Sequence, residues 1–123
     1  MRPWVVLAGV NGALAVGLGA WAAHGLAADP AAQALAQRAS EFQLVHALAL
    51  LAADRLAAEG RRLAHWAAAL LTLGIALFSG SLYLKAALGT LPVPLVTPTG
   101  GLALMAGWLV LAASGVMPGA KGN

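Results

Sequence analysis

Two histidines are the residues of this sequence best suited to bind a cofactor. His24 and His46 fall in different apolar stretches, and neutral imidazole is a common ligand of haem iron and metal ions. Neither histidine has a carboxylate on its own helical stripe, and the chain has no cysteine. The motifs Glu-x-x-His, His-Glu-x-x-His and Gly-x-Ser-x-Gly are also missing from the sequence. The sequence therefore predicts no metal, no cofactor and no catalytic residue, which disfavours an enzyme without excluding one.

Composition determines the solvent in which these residues must work. Hydrophobic residues make up 61% of the 123 residues and charged residues only 9%, whereas a soluble domain carries about 25% charged residues. The pI near 10.2 comes from only seven Lys and Arg. They are scattered between apolar segments and form no basic stripe, which excludes a nucleic-acid partner. We expect one integral membrane domain over residues 1–123, with membrane lipids as its surroundings.

Four apolar stretches predict an all-α membrane protein, a bundle of four transmembrane helices. The expected spans cover about residues 4–24, 41–58, 63–88 and 97–116, and ~20 apolar residues suffice to cross a bilayer core. Between the first two spans, Asp29-Pro30 is a helix start signal, and residues 40–43 form a capping box. Residues 30–39 are thus either a short interfacial helix or the beginning of a long second helix.

The basic residues predict the orientation. An even number of spans places both termini on one side, together with the loop between the second and third spans. That side carries five basic residues and the opposite side two, Arg38 and Lys85; the five are Arg2, Arg55, Arg61, Arg62 and Lys121. Short loops rich in Lys and Arg stay inside, so we expect a bacterial inner-membrane protein with both termini in the cytoplasm. The first span resembles a signal peptide, but its apolar run is longer than the usual one, so an uncleaved helix is expected.

With this orientation, a set of polar residues from all four helices lies at one level in the outer half of the bundle. They are His24, Gln43, His46, Ser79, Ser81, Tyr83, Thr97 and Thr99. Polar side chains in hydrocarbon are costly and normally face the bundle interior or a wet cavity. We therefore expect His46 to point inward and to bond Ser79, Tyr83, His24 or Thr97 on another helix. Whether this polar cluster binds a ligand or only joins the helices is left open.

Three charged residues are expected beside the cluster, near the lipid headgroups. Glu41 can pair there with Arg38 or Lys85. A lysine at such a depth extends its amine towards the headgroups. The sequence thus predicts ion pairing at the membrane surface.

Small residues on the first span predict close helix packing. Gly9, Ala13 and Gly17 recur at every fourth position, and a second series follows at residues 15, 19 and 23. Membrane helices approach closely through such faces. Asn11, buried in mid-span, is interpreted as an interhelical hydrogen-bonding residue. We expect this helix to have neighbours on both sides.

Four segments resemble motifs of a known family. Residues 19–26 resemble G-A-x-G-A-H-G-L, and residues 41–50 contain a segment similar to Y-Q-x-x-H-A-L-A-L. Residues 78–83 match F-S-G-S-L-Y, and residues 97–101 match T-P-x-G-G. In this order they resemble the YgdD-type inner-membrane proteins, a family built on a domain of unknown function with a small eukaryotic transmembrane relative.

The resemblance covers nearly the whole chain, with two departures. Ala22 stands at a usual glycine and Phe42 at a usual tyrosine, which weakens any role for a phenol or a close backbone approach there. The resemblance implies four membrane helices and carries over no catalytic or binding residue.

Three classes of function remain. The lack of a deep carboxylate and the small-residue faces favour a structural bundle that interacts with lipid, with a second copy or with another membrane protein. The alternative is a small transporter or channel that uses the polar cluster as a binding vestibule. A protein with a histidine-ligated cofactor or metal is the third reading, and it has the least support.

Overall fold

The described part of the chain folds into four helices. A computed structural model describes residues 1–91 and 94–117, and that part contains no strand. The helices are α1 (Pro3–Gly25), α2 (Pro30–Ala58), α3 (Leu63–Leu88) and α4 (Val96–Val116). Within α3, residues Ile75–Ser79 form one turn of π-helix. The prediction of an all-α fold is confirmed.

Local signals define the helix ends, as the sequence predicts. The Asp29 side chain accepts a hydrogen bond from the backbone nitrogen of Ala32 at 3.2 Å and caps α2. After α2 and α3, Gly60 and Gly89 adopt φ angles of 86° and 79°, a left-handed conformation in which glycine lacks the steric cost of other residues. The turns at 26–29 and 59–62 are short, so consecutive helices run antiparallel.

The second helix is one continuous helix of 29 residues, so the alternative of a separate short interfacial helix does not describe the fold. Ser40, the first residue of the suspected capping box, lies inside α2. Its Oγ atom donates to the carbonyl oxygen of Ala15 on α1 at 2.7 Å. The hydroxyl thus joins two helices, which explains why a capping-type sequence is compatible with an uninterrupted helix.

Helix α2 is central, with α1 packed on one side and α3 on another, while α4 packs mainly on α3. The packing face of α1 consists of Ala8, Ala15 and Ala22, all buried. The predicted face of Gly9, Ala13 and Gly17 points away from α2, so its role in close helix packing stays a prediction. A Cβ atom on either glycine would meet no atom within 4 Å, and Ala13 is exposed.

Helices α3 and α4 approach most closely at Gly100. A Cβ atom there would lie 2.3 Å from the backbone nitrogen of Phe78, inside the π-helical turn. Gly74 and Gly107 allow the same close approach against Leu104 and Leu71. Glycines therefore determine how these two helices fit together.

Three of the helices, α1, α3 and α4, are long and apolar enough to cross a membrane. Helix α2 carries more polar and charged residues, but these are distributed unequally around it. Gln43 and His46 are each 5% exposed, whereas Leu48 is 61% exposed. Most of the large apolar side chains of α2 thus lie on the outside of the bundle, with Leu50 as a fully buried exception.

Candidate functional site: a polar cluster between the helices

A chain of hydrogen bonds joins three helices at Gln43. The Nε2 atom of Gln43 donates to Oδ1 of Asn11 on α1 at 2.9 Å. The hydroxyl of Tyr83 on α3 donates to Oε1 of Gln43 at 2.7 Å. Asn11 in turn donates to the carbonyl oxygen of Leu7 at 2.9 Å. Both ends of the buried amide are therefore used, and α1, α2 and α3 are linked through one side chain.

His46 points into the bundle, as predicted, but its partner was not among the candidates. Nε2 of His46 accepts from the indole nitrogen of Trp108 on α4 at 3.0 Å. Its Nδ1 atom lies 2.5 Å from the carbonyl oxygen of Phe42. An indole N–H only donates and a carbonyl only accepts, so the imidazole is neutral with its proton on Nδ1. Both ring nitrogens are occupied.

Trp108 belongs to a residue type that is usually found at the membrane interface, which hides its role in the sequence. The signal was its depth, since Trp108 lies well inside the span 97–116, whereas interface tryptophans lie near span ends. Its ring meets that of His46 edge-on, with centroids 5.7 Å apart. Phe42 extends the group, with its ring 4.6 Å from that of Phe78. Helices α2, α3 and α4 are thus joined by an aromatic group around one histidine.

The hydroxyl residues of the cluster act at separate points. Ser79 donates to the carbonyl oxygen of Ala39 on α2 at 2.8 Å. The Oγ atom of Ser81 lies 2.5 Å from Oγ1 of Thr97, which connects α3 to α4. Thr99 donates to Leu95 within its own helix at 2.7 Å. Ser79 and Ser81 thus join helices, whereas Thr99 only supports the first turn of α4.

Some predicted residues stay outside the cluster. His24 is exposed at the end of α1, too far out to share a ligand with the buried His46. Arg38, Glu41 and Lys85 are also exposed, and none of the three forms a salt bridge within residues 1–91 and 94–117. The expected ion pairing at this end is therefore not part of the described structure.

Charges instead pair at the opposite end of the bundle. Arg2 forms a salt bridge with the buried carboxylate of Asp54. Trp4 donates to Nδ1 of His65 at 3.0 Å, which joins α1 to α3. Sequence reasoning missed these contacts, although Arg2 had been placed on this side of the membrane. Lys121, also counted with the inner charges, lies outside the described residues.

A narrow groove between α1 and α3 opens beside Gln43. It has a volume of about 250 Å³ and is lined mainly by apolar side chains. Asn11, Gln43 and Tyr83 line it as well, but they bond one another. The polar atoms at this groove are therefore committed to holding the helices.

The family model described as "Protein of unknown function (DUF423)" matches residues 18–101. The chain belongs to this family. The matched residues include all four motifs in full, so the resemblance noted in the sequence is confirmed.

Relatives match over most of the chain. A UPF0382 membrane protein of Staphylococcus saprophyticus is 36% identical, over 90% of this chain and 94% of the relative. The UPF0382 membrane protein YwdK of Bacillus subtilis is 34% identical over 94% and 98%. The UPF0382 inner membrane protein YgdD of Escherichia coli is 34% identical over 98% and 95%. No solved structure gave a significant match. The protein is thus a member of a helical membrane-protein family.

In this DUF423 member the cluster is arranged to join helices. The described residues contain no group of three metal-ligating side chains, and both nitrogens of His46 are bonded within the chain. Among the same residues, every buried side-chain nitrogen or oxygen has a hydrogen-bond partner. The arrangement therefore gives the histidine-ligated cofactor no support.

Proposed function

We propose that the protein is a non-catalytic bundle of four membrane spans in the bacterial inner membrane. Its polar cluster holds the helices together, and its surface interacts with lipid and with other membrane proteins or a second copy of the chain. The observation that carries this proposal is the complete internal pairing of the buried polar side chains in the described part of the chain.

The four-span arrangement rests on the position of α2. This helix packs along both α1 and α3, which are apolar enough to span. Its buried polar residues face these neighbours, while Leu44, Leu48 and Leu51 are exposed. In a membrane helix, polar side chains are expected to face the interior and apolar ones the lipid. The distribution around α2 fits a span that is shielded by its neighbours.

The absence of cysteine from the chain makes the topology directly testable. Ala28 and Ala58 are exposed residues at the two ends of α2, so single Ala28→Cys and Ala58→Cys variants report its two sides. With both termini cytoplasmic, a membrane-impermeant maleimide should label position 28 in intact spheroplasts and position 58 only after lysis. Equal accessibility at the two positions would contradict four spans. The reverse pattern would contradict the orientation alone.

The role of the cluster is tested at Gln43. Gln43→Leu removes both interhelical hydrogen bonds, leaves Asn11 and Tyr83 without these partners, and should destabilise the protein by about 1–3 kcal/mol. Gln37→Leu is the matched control, because Gln37 lies on the exposed side of the same helix. In unfolding experiments in detergent, Gln43→Leu should be less stable than Gln37→Leu.

The transporter alternative makes the opposite prediction. If the cluster is a vestibule, proteoliposomes of the wild-type chain should show solute or proton flux. Gln43→Leu should then abolish the flux while leaving stability close to that of Gln37→Leu. That result would overturn the structural role.

A further inference from the structure

We propose that the outer end of α3 and α4 binds one anionic phospholipid, with its phosphate at Lys85 and an acyl chain between the two helices. This inference rests on the proposed function, because it names the lipid class and the site for a bundle that acts through its lipid contacts. The observations that carry it are two adjoining cavities and one cation.

The first cavity is a headgroup-sized pocket beyond the end of α3. It has a volume of about 380 Å³, and Lys85, Thr90 and Thr97 line it together with apolar residues. Lys85 is exposed, one turn before Gly89, so its amine can reach the headgroup region. The residues that line this pocket include no carboxylate. The Lys85 ammonium can donate to a phosphodiester, as can the Thr90 hydroxyl of the same pocket, whereas the Thr97 hydroxyl is already bonded to Ser81.

The second cavity is apolar and lies along the same helices. It has a volume of about 510 Å³ and is lined mainly by apolar residues, among them Leu77, Leu84 and Val96. Leu91 lines both cavities, and the Ser81–Thr97 contact brings α3 and α4 together between them. Each cavity falls within the ~300–1,000 Å³ typical of ligand sites. A pocket with a cation beside an apolar groove, the two sharing Leu91, matches a phospholipid headgroup and its chain.

The net charge of the headgroup determines which class of phospholipid Lys85 is expected to bind. Lys85 has no salt-bridge partner within the described residues. A zwitterionic headgroup would place its own cation near this amine, whereas phosphatidylglycerol brings a net negative charge. A basic residue near the membrane surface contributes about 1 kcal/mol to binding an anionic lipid, which corresponds to a roughly five-fold difference in affinity.

Native mass spectrometry of the full chain in detergent tests the site, with phosphatidylglycerol and phosphatidylcholine of equal chain length as probes. One phosphatidylglycerol should bind roughly five-fold more tightly than phosphatidylcholine. Lys85→Gln should remove this preference, and Lys85→Arg should keep it. Arg38→Gln is the matched control. Arg38 is an exposed cation that is expected on the same side of the membrane, and it lines neither cavity.

Three results would overturn the proposal. The first is equal binding of phosphatidylglycerol and phosphatidylcholine. The second is an equal loss of the preference for phosphatidylglycerol in Lys85→Gln and Arg38→Gln. The third is displacement of the lipid by excess inorganic phosphate, which would show that the acyl chain contributes nothing to binding. None of them affects the Ala28 and Ala58 topology or the Gln43 stability test. Failure of the lipid site therefore remains distinguishable from failure of the proposed function.

Discussion

Gly100→Ala is expected to disturb the contact between α3 and α4. The added Cβ atom would lie 2.3 Å from the backbone nitrogen of Phe78 and 2.8 Å from the carbonyl carbon of Leu77. Carbon atoms make favourable contact at about 3.5–4.0 Å, so the helices would have to separate locally by on the order of 1 Å. The obstructing atoms belong to helix backbone, which cannot rotate aside as a side chain can.

Two opposing effects set the magnitude. Overpacking of this kind costs about 1–3 kcal/mol, while alanine is preferred to glycine inside a helix by up to ~1 kcal/mol. We expect a net destabilisation on the order of 1–2 kcal/mol for Gly100→Ala. In Gly101→Ala, the matched control, the nearest atom to the new Cβ is Cδ1 of Phe78 at 3.7 Å, an ordinary contact. The control should be as stable as the wild type or slightly more stable.

Unfolding of the purified protein by SDS in mixed micelles, followed by circular dichroism, compares the three proteins. Gly100→Ala should unfold at a lower SDS fraction than the wild type, and Gly101→Ala should not. Identical unfolding of the two variants would show that α3 and α4 do not approach as described, and the reasoning from the glycine contact would fail.

Two further substitutions test a polar contact inside the bundle and one at its inner end. Trp108→Phe removes the N–H that donates to His46 and should destabilise the protein by about 1–3 kcal/mol. Trp66→Phe is the control and should have little effect, because Trp66 is 68% exposed. Equal losses of stability in SDS unfolding would argue against a buried Trp108 bond. Arg2→Gln leaves the buried carboxylate of Asp54 without its ion pair. The substitution should therefore destabilise the wild type more than it destabilises the Asp54→Asn variant. Strictly additive effects in this double-mutant cycle would refute the pairing.

The helices and their ends could be predicted because the signals for them are local. The apolar stretches located α1, α3 and α4, which are long and apolar enough to cross a bilayer, whereas the second stretch, 41–58, covered only part of a helix that begins at Pro30. Asp29 caps α2 where the sequence predicts a helix start, and Gly60 and Gly89, a residue type that favours helix C-termini, follow α2 and α3. Each of these signals depends on a few neighbouring residues and their backbone conformation, so no knowledge of the packing was needed.

The positions of polar residues were also partly predictable. Depth along each helix follows from residue number at ~1.5 Å per residue, which is why Gln43 and Tyr83 could be placed at one level. Their hydrogen bond is present in the structure. The partner of His46 was mispredicted because residue type does not locate a tryptophan: an indole can lie at the interface or, like that of Trp108, be bonded inside the bundle.

The rotation of each helix about its axis was decided only by the tertiary structure. Helix α1 is apolar or small on every side, so Gly9 and Ala15 look equivalent in sequence, yet only Ala15 packs against α2. In lipid both the core and the outer surface of a bundle are apolar, so hydrophobicity gives no pattern that separates inside from outside. The distinction comes from steric fit and from hydrogen bonds such as that of Ser40 to Ala15. These appear only once two helices are placed side by side.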